Sequence, residues 1–331
     1  MKVLLFAALL CCLVKPPKTT ILRFGQGSTH ARSIQDFSKN ELLIGTNEGK
    51  YLLVSKNDHK PVTMYLPCSN QVIKEIRDTD KNQRFLFFMQ SNDSSHLLRL
   101  DWKGQAEKLL AFTHHEKPVF LDGIDMEDSL GFLIGDPVDG DFALFRTTNY
   151  GETWEKCPGK VTQKKNEAAY AASGTTNAII DRDFVFVSGG ETTRFIWSSD
   201  FGNTWQSSDI PYESCRTCGA YSLAFKNRNE LVVVGGDYTQ ATKKSHTCFY
   251  SKDGGKSWVP AKTPPNGYRS CVLYKNGIYY ACGTNGIDYS KDGGNTWHGW
   301  LTENGLSMCT DQHFLYISCT GGKILKVKLL K

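Results

Sequence analysis

"SKDGGKSW" (251–258) and "SKDGGNTW" (290–297) write nearly the same eight residues twice, 39 positions apart. Looser copies, "SSDFGNTW" (198–205) and "TTNYGETW" (147–154), extend the series, with Trp-to-Trp intervals of 51, 53 and 39 residues. A period in this range marks a solenoid or propeller array. The box is only the loudest part of a longer unit. Before each copy come an apolar strand, a Gly-rich or polar turn and a second strand, as in "DFVFVSGGETTRFIWSS" (183–199) and "GIYYACGTNGIDYS" (277–290). "ELVVVGGDYTQATKKSHTCFYS" (230–251) and "LGFLIGDPVDGDFALFRTT" (130–148) follow the same plan. Three weaker units lack the box: "ELLIGTNEGKYLLVSK" (41–56), "RFLFFMQSNDSSHLLRLD" (84–101) and "HFLYISCTGGKILKVKL" (313–329). Seven units result, with turns near residues 46, 91, 136, 189, 237, 284 and 321.

Each unit reads as four short strands, A to D; in the sixth they are "RSCVLY", "GIYYACG", "GIDYSKD" and "NTWHGWL". Alternating apolar residues, β-branched and aromatic side chains, and Asn, Gly and Asp turns support strands, and no long helical period appears. Four-stranded sheets repeated radially make a β-propeller. The seventh unit has A, B and C but no D, whereas "TTILRF" (19–24) is a strand without a unit. Supplying it as the last D strand closes the ring and removes exposed sheet edges. The expected fold is therefore all-β: a seven-bladed propeller of four-stranded antiparallel blades, with residues 18–331 as a single domain.

The composition fits. The 331 residues are 40% hydrophobic and 22% charged, ample for a large core. The formal net charge of +5 is scattered, and the densest cluster, "KVTQKK" (160–165), reads as a solvated loop rather than a nucleic-acid site. Lys2, the apolar run "VLLFAALLCCLV" (3–14) and "KPPK" match a secretory signal peptide over residues 1–17, with cleavage between about Cys12 and Lys18. Twelve apolar residues are too few to span a membrane, and no other run is longer. Secretion permits disulfides among the nine remaining cysteines, 68, 157, 215, 218, 248, 271, 282, 309 and 319. "CRTC" (215–218) lacks a second CxxC, so a loop disulfide or two free thiols is the expectation, not a zinc half-site. Asn92 of "NDS" opens the one glycosylation sequon. "SCVLYKNGIYYACG" reads as a hairpin about Asn276–Gly277. That register sets Cys271 opposite Cys282 as a non-hydrogen-bonded pair with Cα atoms roughly 4.5 Å apart, so a disulfide between them is expected.

The four boxes resemble the Asp-box, or BNR repeat, of sialidases and other propellers: Ser-x-Asp-x-Gly-x-Thr/Ser-Trp. The resemblance implies a hairpin turn in which Asp200, Asp253 and Asp292 accept backbone N–H groups, with Asn149 in the same place in the first copy. It also implies that Trp154, Trp205, Trp258 and Trp297 pack between strands, which makes the boxes structural. Over residues 117–331, "FLIGDPVDGDF", "AASGT", "GGETTRF", "VVVGGDY" and "GYRS" are similar to secreted bacterial proteins related to the photosystem II stability and assembly factor. That family brings no mechanism to transfer.

Strand alternation puts the A–B and C–D turns on one face and the B–C and D–A loops on the other. The long loops 135–141, 157–169, 207–220 and 235–246 share that second face, where binding residues collect. Asp122, Asp125, Asp136, Glu167, Glu191, Arg194, Asp237, Tyr238 and Arg269 are its candidate pocket residues. Such an acid–arginine mixture suits a polar or anionic ligand, or acid–base chemistry; a purely structural pairing of the same groups is the alternative. A sialidase-like arginine trio would need Arg23, Arg194 and Arg269, but no Tyr–Glu nucleophile pair can be assigned. The eight histidines show no metal spacing; His114, His115 and His246, read as exposed loop residues, are outside candidates for proton transfer. Neither metal nor cofactor is expected. The sequence thus points to a secreted monomer recognising a glycan, a small molecule or an extracellular protein, with no nucleic acid. The alternative is an enzyme using the acid–arginine pocket, either a glycan-active hydrolase or lyase or a cofactor-free oxidoreductase.

Overall fold

The computed structural model describes residues 17–57, 63–65, 75–91, 95–102 and 108–331. The expected signal peptide, Cys68 and Asn92 fall outside the described residues, except that Pro17 is described. Seven four-stranded antiparallel sheets form the seven blades of a β-propeller. The innermost A strands, in blade order, are Ala31–Asp36, Ile76–Lys81, Leu121–Glu127, Asn177–Ile180, Ala220–Phe225, Cys271–Lys275 and Gly305–Thr310. The seventh sheet runs in the order Gly305–Thr310, Phe314–Cys319, Lys323–Lys328 and then Thr19–Arg23, with Thr19 opposite Val327 and Arg23 opposite Lys323. The N-terminal strand therefore closes the ring as its D strand.

The core is a ring of layers rather than one central mass. Each of seven apolar clusters lies between two neighbouring blades: Val185, Phe195 and Val233 join blades 4 and 5, and Leu22, Ile44 and Tyr316 join blades 7 and 1. This follows from period-2 alternation, which sends successive side chains of one strand to the two faces of its sheet. Both faces of every blade are covered, so strands such as "FVFV" and "LVVV" are apolar throughout.

The repeated boxes, in blades 3 to 6, tie each of those blades to the one before it. In the second copy the Ser198 hydroxyl donates to Asp200 Oδ1 at 2.8 Å and accepts the Gly202 N–H at 2.7 Å. Asp200 Oδ1 also accepts the Thr204 N–H at 2.8 Å. Ser251–Asp253–Ser257 and Ser290–Asp292–Thr296 repeat the pattern, and Asn149 Oδ1 accepts the Thr153 N–H at 3.1 Å where the aspartate is missing. Each box tryptophan packs at the seam with the preceding blade: Trp205 lies 5.6 Å from Phe132, and Trp258 5.5 Å from Phe195.

The hairpin register at Cys271 is as expected, but the disulfide is not formed. Asn276 and Gly277 both have positive φ, 51° and 84°, as a type I′ turn requires, and Cys271 faces Cys282. The closing pair of such a turn, Lys275–Ile278, is hydrogen-bonded, and alternation makes Cys271–Cys282 hydrogen-bonded as well. Side chains stand further apart in that kind of pair than in the non-hydrogen-bonded kind. The two cysteines are free buried thiols in hydrogen-bond contact, and the disulfide links Cys215 to Cys218 instead.

Candidate functional site

The start of the innermost strand is the site-building position. In five blades a β-bulge interrupts the A–B ladder at the same place, between Ala31 and Ser33, Ile76 and Asp78, Leu121 and Gly123, Ala220 and Ser222, and Gly305 and Ser307. A bulge leaves one residue unpaired and re-aims its side chain. The bulged residues are Arg32, Arg77, Asp122, Tyr221 and Leu306. Four of them line a cavity of about 360 Å³ at the mouth of the ring, which Asp122 underlies. Residues of the B–C and D–A loops complete the wall: Tyr170, Tyr238, Tyr268, Thr284 and Asn304.

In blades 1, 2 and 5 the residue after the bulge ties its blade to the next through its side chain. Ser33 Oγ accepts the Thr79 N–H at 3.0 Å, Asp78 Oδ2 the Ile124 N–H at 2.9 Å, and Ser222 Oγ the Val272 N–H at 2.8 Å. Burial raises the Asp78 carboxyl to about 7, against the opposing pull of those donors.

One side of the mouth is cationic. Arg77 ion-pairs with Glu75 at 3.0 Å, and Arg32 approaches the same carboxylate at 3.6 Å. Among the described residues Arg77 Nε and Asn304 Oδ1 are buried without a hydrogen-bond partner, while Arg32 Nε is the atom that faces Glu75. Burial lowers the Arg77 pKa, opposed by Glu75. Below them Asp122 accepts the backbone N–H groups of Ala171 and Asp136, yet its Oδ2 has no partner; burial, then the Asp136 charge, raises it well above the usual carboxylate range. Burial holds Asp136 up at about 6.

The other side is aromatic. Tyr170 and Tyr221 stack at 4.0 Å with 6° between ring planes, and Tyr268 meets Tyr221 edge-on at 4.9 Å. The Tyr170 hydroxyl donates to the carbonyls of Arg216 and Cys218, and that of Tyr221 to Thr217, so the disulfide-closed "CRTC" loop fixes both rings from behind. Tyr238 is 53% exposed at the rim.

The expected acid–arginine ring is largely dismantled. Arg194 Nη2 meets Glu167 Oε2 at 2.7 Å with both side chains buried, and also donates to the Thr162 carbonyl. Arg269 Nε donates to Asp288 at 2.6 Å, again fully buried. Buried guanidinium groups must be paired, and these are spent on internal carboxylates. Asp237 caps a short 3₁₀ turn at Tyr238–Gln240 and accepts from Thr217, Thr239 and Gln240. Asp125 accepts the Ile179 N–H inside the ring. Glu191 pairs with Lys165 at 2.6 Å on a surface loop. Of the nine candidates only Tyr238 lines the cavity, with Asp122 and Asp136 close beneath. The arginine trio does not assemble either, because Arg23 is exposed on the outermost strand of blade 7. His115 and His246 are exposed as expected, but His114 is buried and both its ring nitrogens lack hydrogen-bond partners among the described residues.

Arg32, Arg77, Tyr170, Tyr221 and Tyr268 were missed. The signal was present in the repeat itself: "ARS", "IRD", "LDG", "AYS" and "GLS" place one variable residue at one structural position. A larger hollow of about 680 Å³ on the flank of blade 6, walled by Tyr289, Trp297 and Trp300, has no comparable set of unpartnered polar atoms.

Comparison with known proteins agrees on the fold. A family model described as Sortilin, neurotensin receptor 3, matches residues 143–276. No protein of curated function matches the chain in sequence. Among solved structures, virginiamycin B lyase from Staphylococcus aureus superposes with a TM-score of 0.69 at 13% identity, covering 95% of this chain and 100% of that one. YCF48 bound to D1 peptide superposes at 0.65 with 10% identity, covering 94% and 97%. The WD40 propeller domain of Doa1 gives 0.64 at 10% identity, covering 96% and 97%. At such identities the likeness is one of fold. The chain shares the β-propeller fold with these structures.

Proposed function

We propose that the protein is a secreted recognition propeller of the Asp-box type that binds a peptide or small anionic ligand at its mouth without transforming it. One observation carries the reading: a cavity of about 360 Å³ is lined by two arginines that share the carboxylate of Glu75 and by four tyrosines. The arginine forks at its wall offer paired donors to a carboxylate or other anion. The tyrosine wall offers large, rigid contact area of the kind enriched in binding surfaces. YCF48, similar in fold, has been solved with a peptide bound. The buried carboxylates beneath the mouth are engaged by backbone N–H groups, which suits support rather than turnover.

The test is an array of peptides, glycans and small organic acids, screened with wild type beside the double variant Arg77→Ala, Tyr238→Ala. Both side chains lie at the cavity wall, so the fold should survive. Ligands captured by wild type and lost from the variant support the reading. Capture that ignores the double change, or consumption of a captured compound, would overturn it.

A further inference from the structure

We propose that the mouth takes a carboxylate carried on a flat aromatic group, with the carboxylate between Arg32 and Arg77 and the ring against Tyr238. This rests on the recognition reading and names its ligand. The charge comes first. Two guanidinium groups share one carboxylate, Glu75, at 3.0 and 3.6 Å. Asp122, the next acid, is engaged by the backbone N–H groups of Ala171 and Asp136. A ligand carboxylate in the cavity would give the second guanidinium an acceptor of its own. The planar fork of an arginine matches a carboxylate in shape as well as in charge.

The ring follows from the opposite wall. The hydroxyls of Tyr170 and Tyr221 are turned away onto loop carbonyls, at 3.0, 3.2 and 2.8 Å, so the cavity meets the bodies of these rings. Tyr238 stands nearly perpendicular to Tyr221, with centroids 6.4 Å apart and 83° between planes. Tyr221 is itself buried with Tyr170 stacked on it, so the ring surface open to a ligand is that of Tyr238, 53% exposed at the rim. That ring is held in place, since Asp237 caps the turn carrying Tyr238 with bonds from Thr239 and Thr217 at 2.9 and 2.8 Å. Tyr268 joins the two halves: its phenol makes no hydrogen bond among the described residues, and it lies near enough to Arg32 to feel that charge.

The experiment is calorimetric titration of the full chain with N-acetyl-L-tyrosine, its amide N-acetyl-L-tyrosinamide, and N-acetylglycine. The acid should bind at least tenfold more tightly than the amide, which lacks the charge, and than N-acetylglycine, which lacks the ring. Arg77→Gln should cost the acid at least tenfold and leave the amide unchanged, and Arg77→Lys should recover part of the loss. Tyr238→Ala should weaken acid and amide together. A free acid and a chain terminus are separated by a tyrosine-ending decapeptide: tighter binding than N-acetyl-L-tyrosine assigns a C-terminus, equal binding a free acid. Equal affinity for acid and amide, or no binding of any of the three, overturns the proposal. If a neutral array ligand still requires Arg77 and Tyr238, recognition at the mouth stands and only this ligand class falls.

Discussion

Asp78 on the innermost strand of blade 2 accepts the backbone N–H of Ile124 on blade 3 at 2.9 Å, with its side chain buried in the channel wall. Burial raises this carboxyl to about 7, with the Asp125 charge adding to the rise, and burial likewise holds Asp125 and Asp136 up at about 6. Each folded value lies above the unfolded value near 4. The unfolded chain therefore releases these protons first, and the stability they contribute is complete below about pH 4. It is lost as pH rises through 6 to 7. The loss amounts to about 1.4 kcal/mol per pH unit for each carboxyl over that window. Asp78→Asn keeps an acceptor for Ile124 without the charge. Urea midpoints should show it clearly more stable than wild type at pH 8, with the difference shrinking steadily toward zero near pH 4. An unchanged difference between the two pH values would remove Asp78 as the cause.

The Arg194–Glu167 pair should behave as a structural clamp. Removing one partner strands a buried charge, so Arg194→Met or Glu167→Gln alone should cost about 3–5 kcal/mol in chemical denaturation. The double change should cost less than the sum of the two, because no charge is left behind. Strict additivity would show that the two charges do not depend on each other.

Two turn glycines separate strain from crowding. Gly255 (φ 83°) has Phe195 atoms 2.4 Å from where a Cβ would stand, whereas Gly277 (φ 84°) has nothing within 4 Å. Gly277→Ala should cost about 1–2 kcal/mol for the left-handed backbone alone. Gly255→Ala adds displacement of a fully buried ring and should cost clearly more in thermal unfolding. Equal losses would mean the box does not seat against blade 4 as described.

Peptide mapping without reduction should recover Cys215 and Cys218 in one linked peptide. Cys271 and Cys282 should appear as separate free thiols, alkylated only after denaturation because both are fully buried. A linked 271–282 peptide would reverse the assignment.

The fold was legible because a repeat is a local signal. Box spacing, the alternation of "ELVVVGG" and the unmatched strand at 19–24 fixed blade number and closure without any long-range contact being known. The candidate site was legible only in outline. Tyr238 lines the cavity, but the two conspicuous arginines, Arg194 and Arg269, were read as pocket residues although each has an internal carboxylate. Glu167 lies 27 residues before Arg194 and Asp288 lies 19 after Arg269, and a partner that distant cannot be read from composition or alternation.

The sequence by itself determined the blades, the closing strand, the turn at Asn276–Gly277 and the hydrogen-bonded boxes, all of which depend on residues close together in the chain. Only the tertiary structure decided which charges remain for a ligand. Burial forces each inward charge to find a partner, and Arg194 and Arg269 do so within the protein. Arg32 and Arg77, turned outward by their bulges, share the carboxylate of Glu75 at the cavity wall.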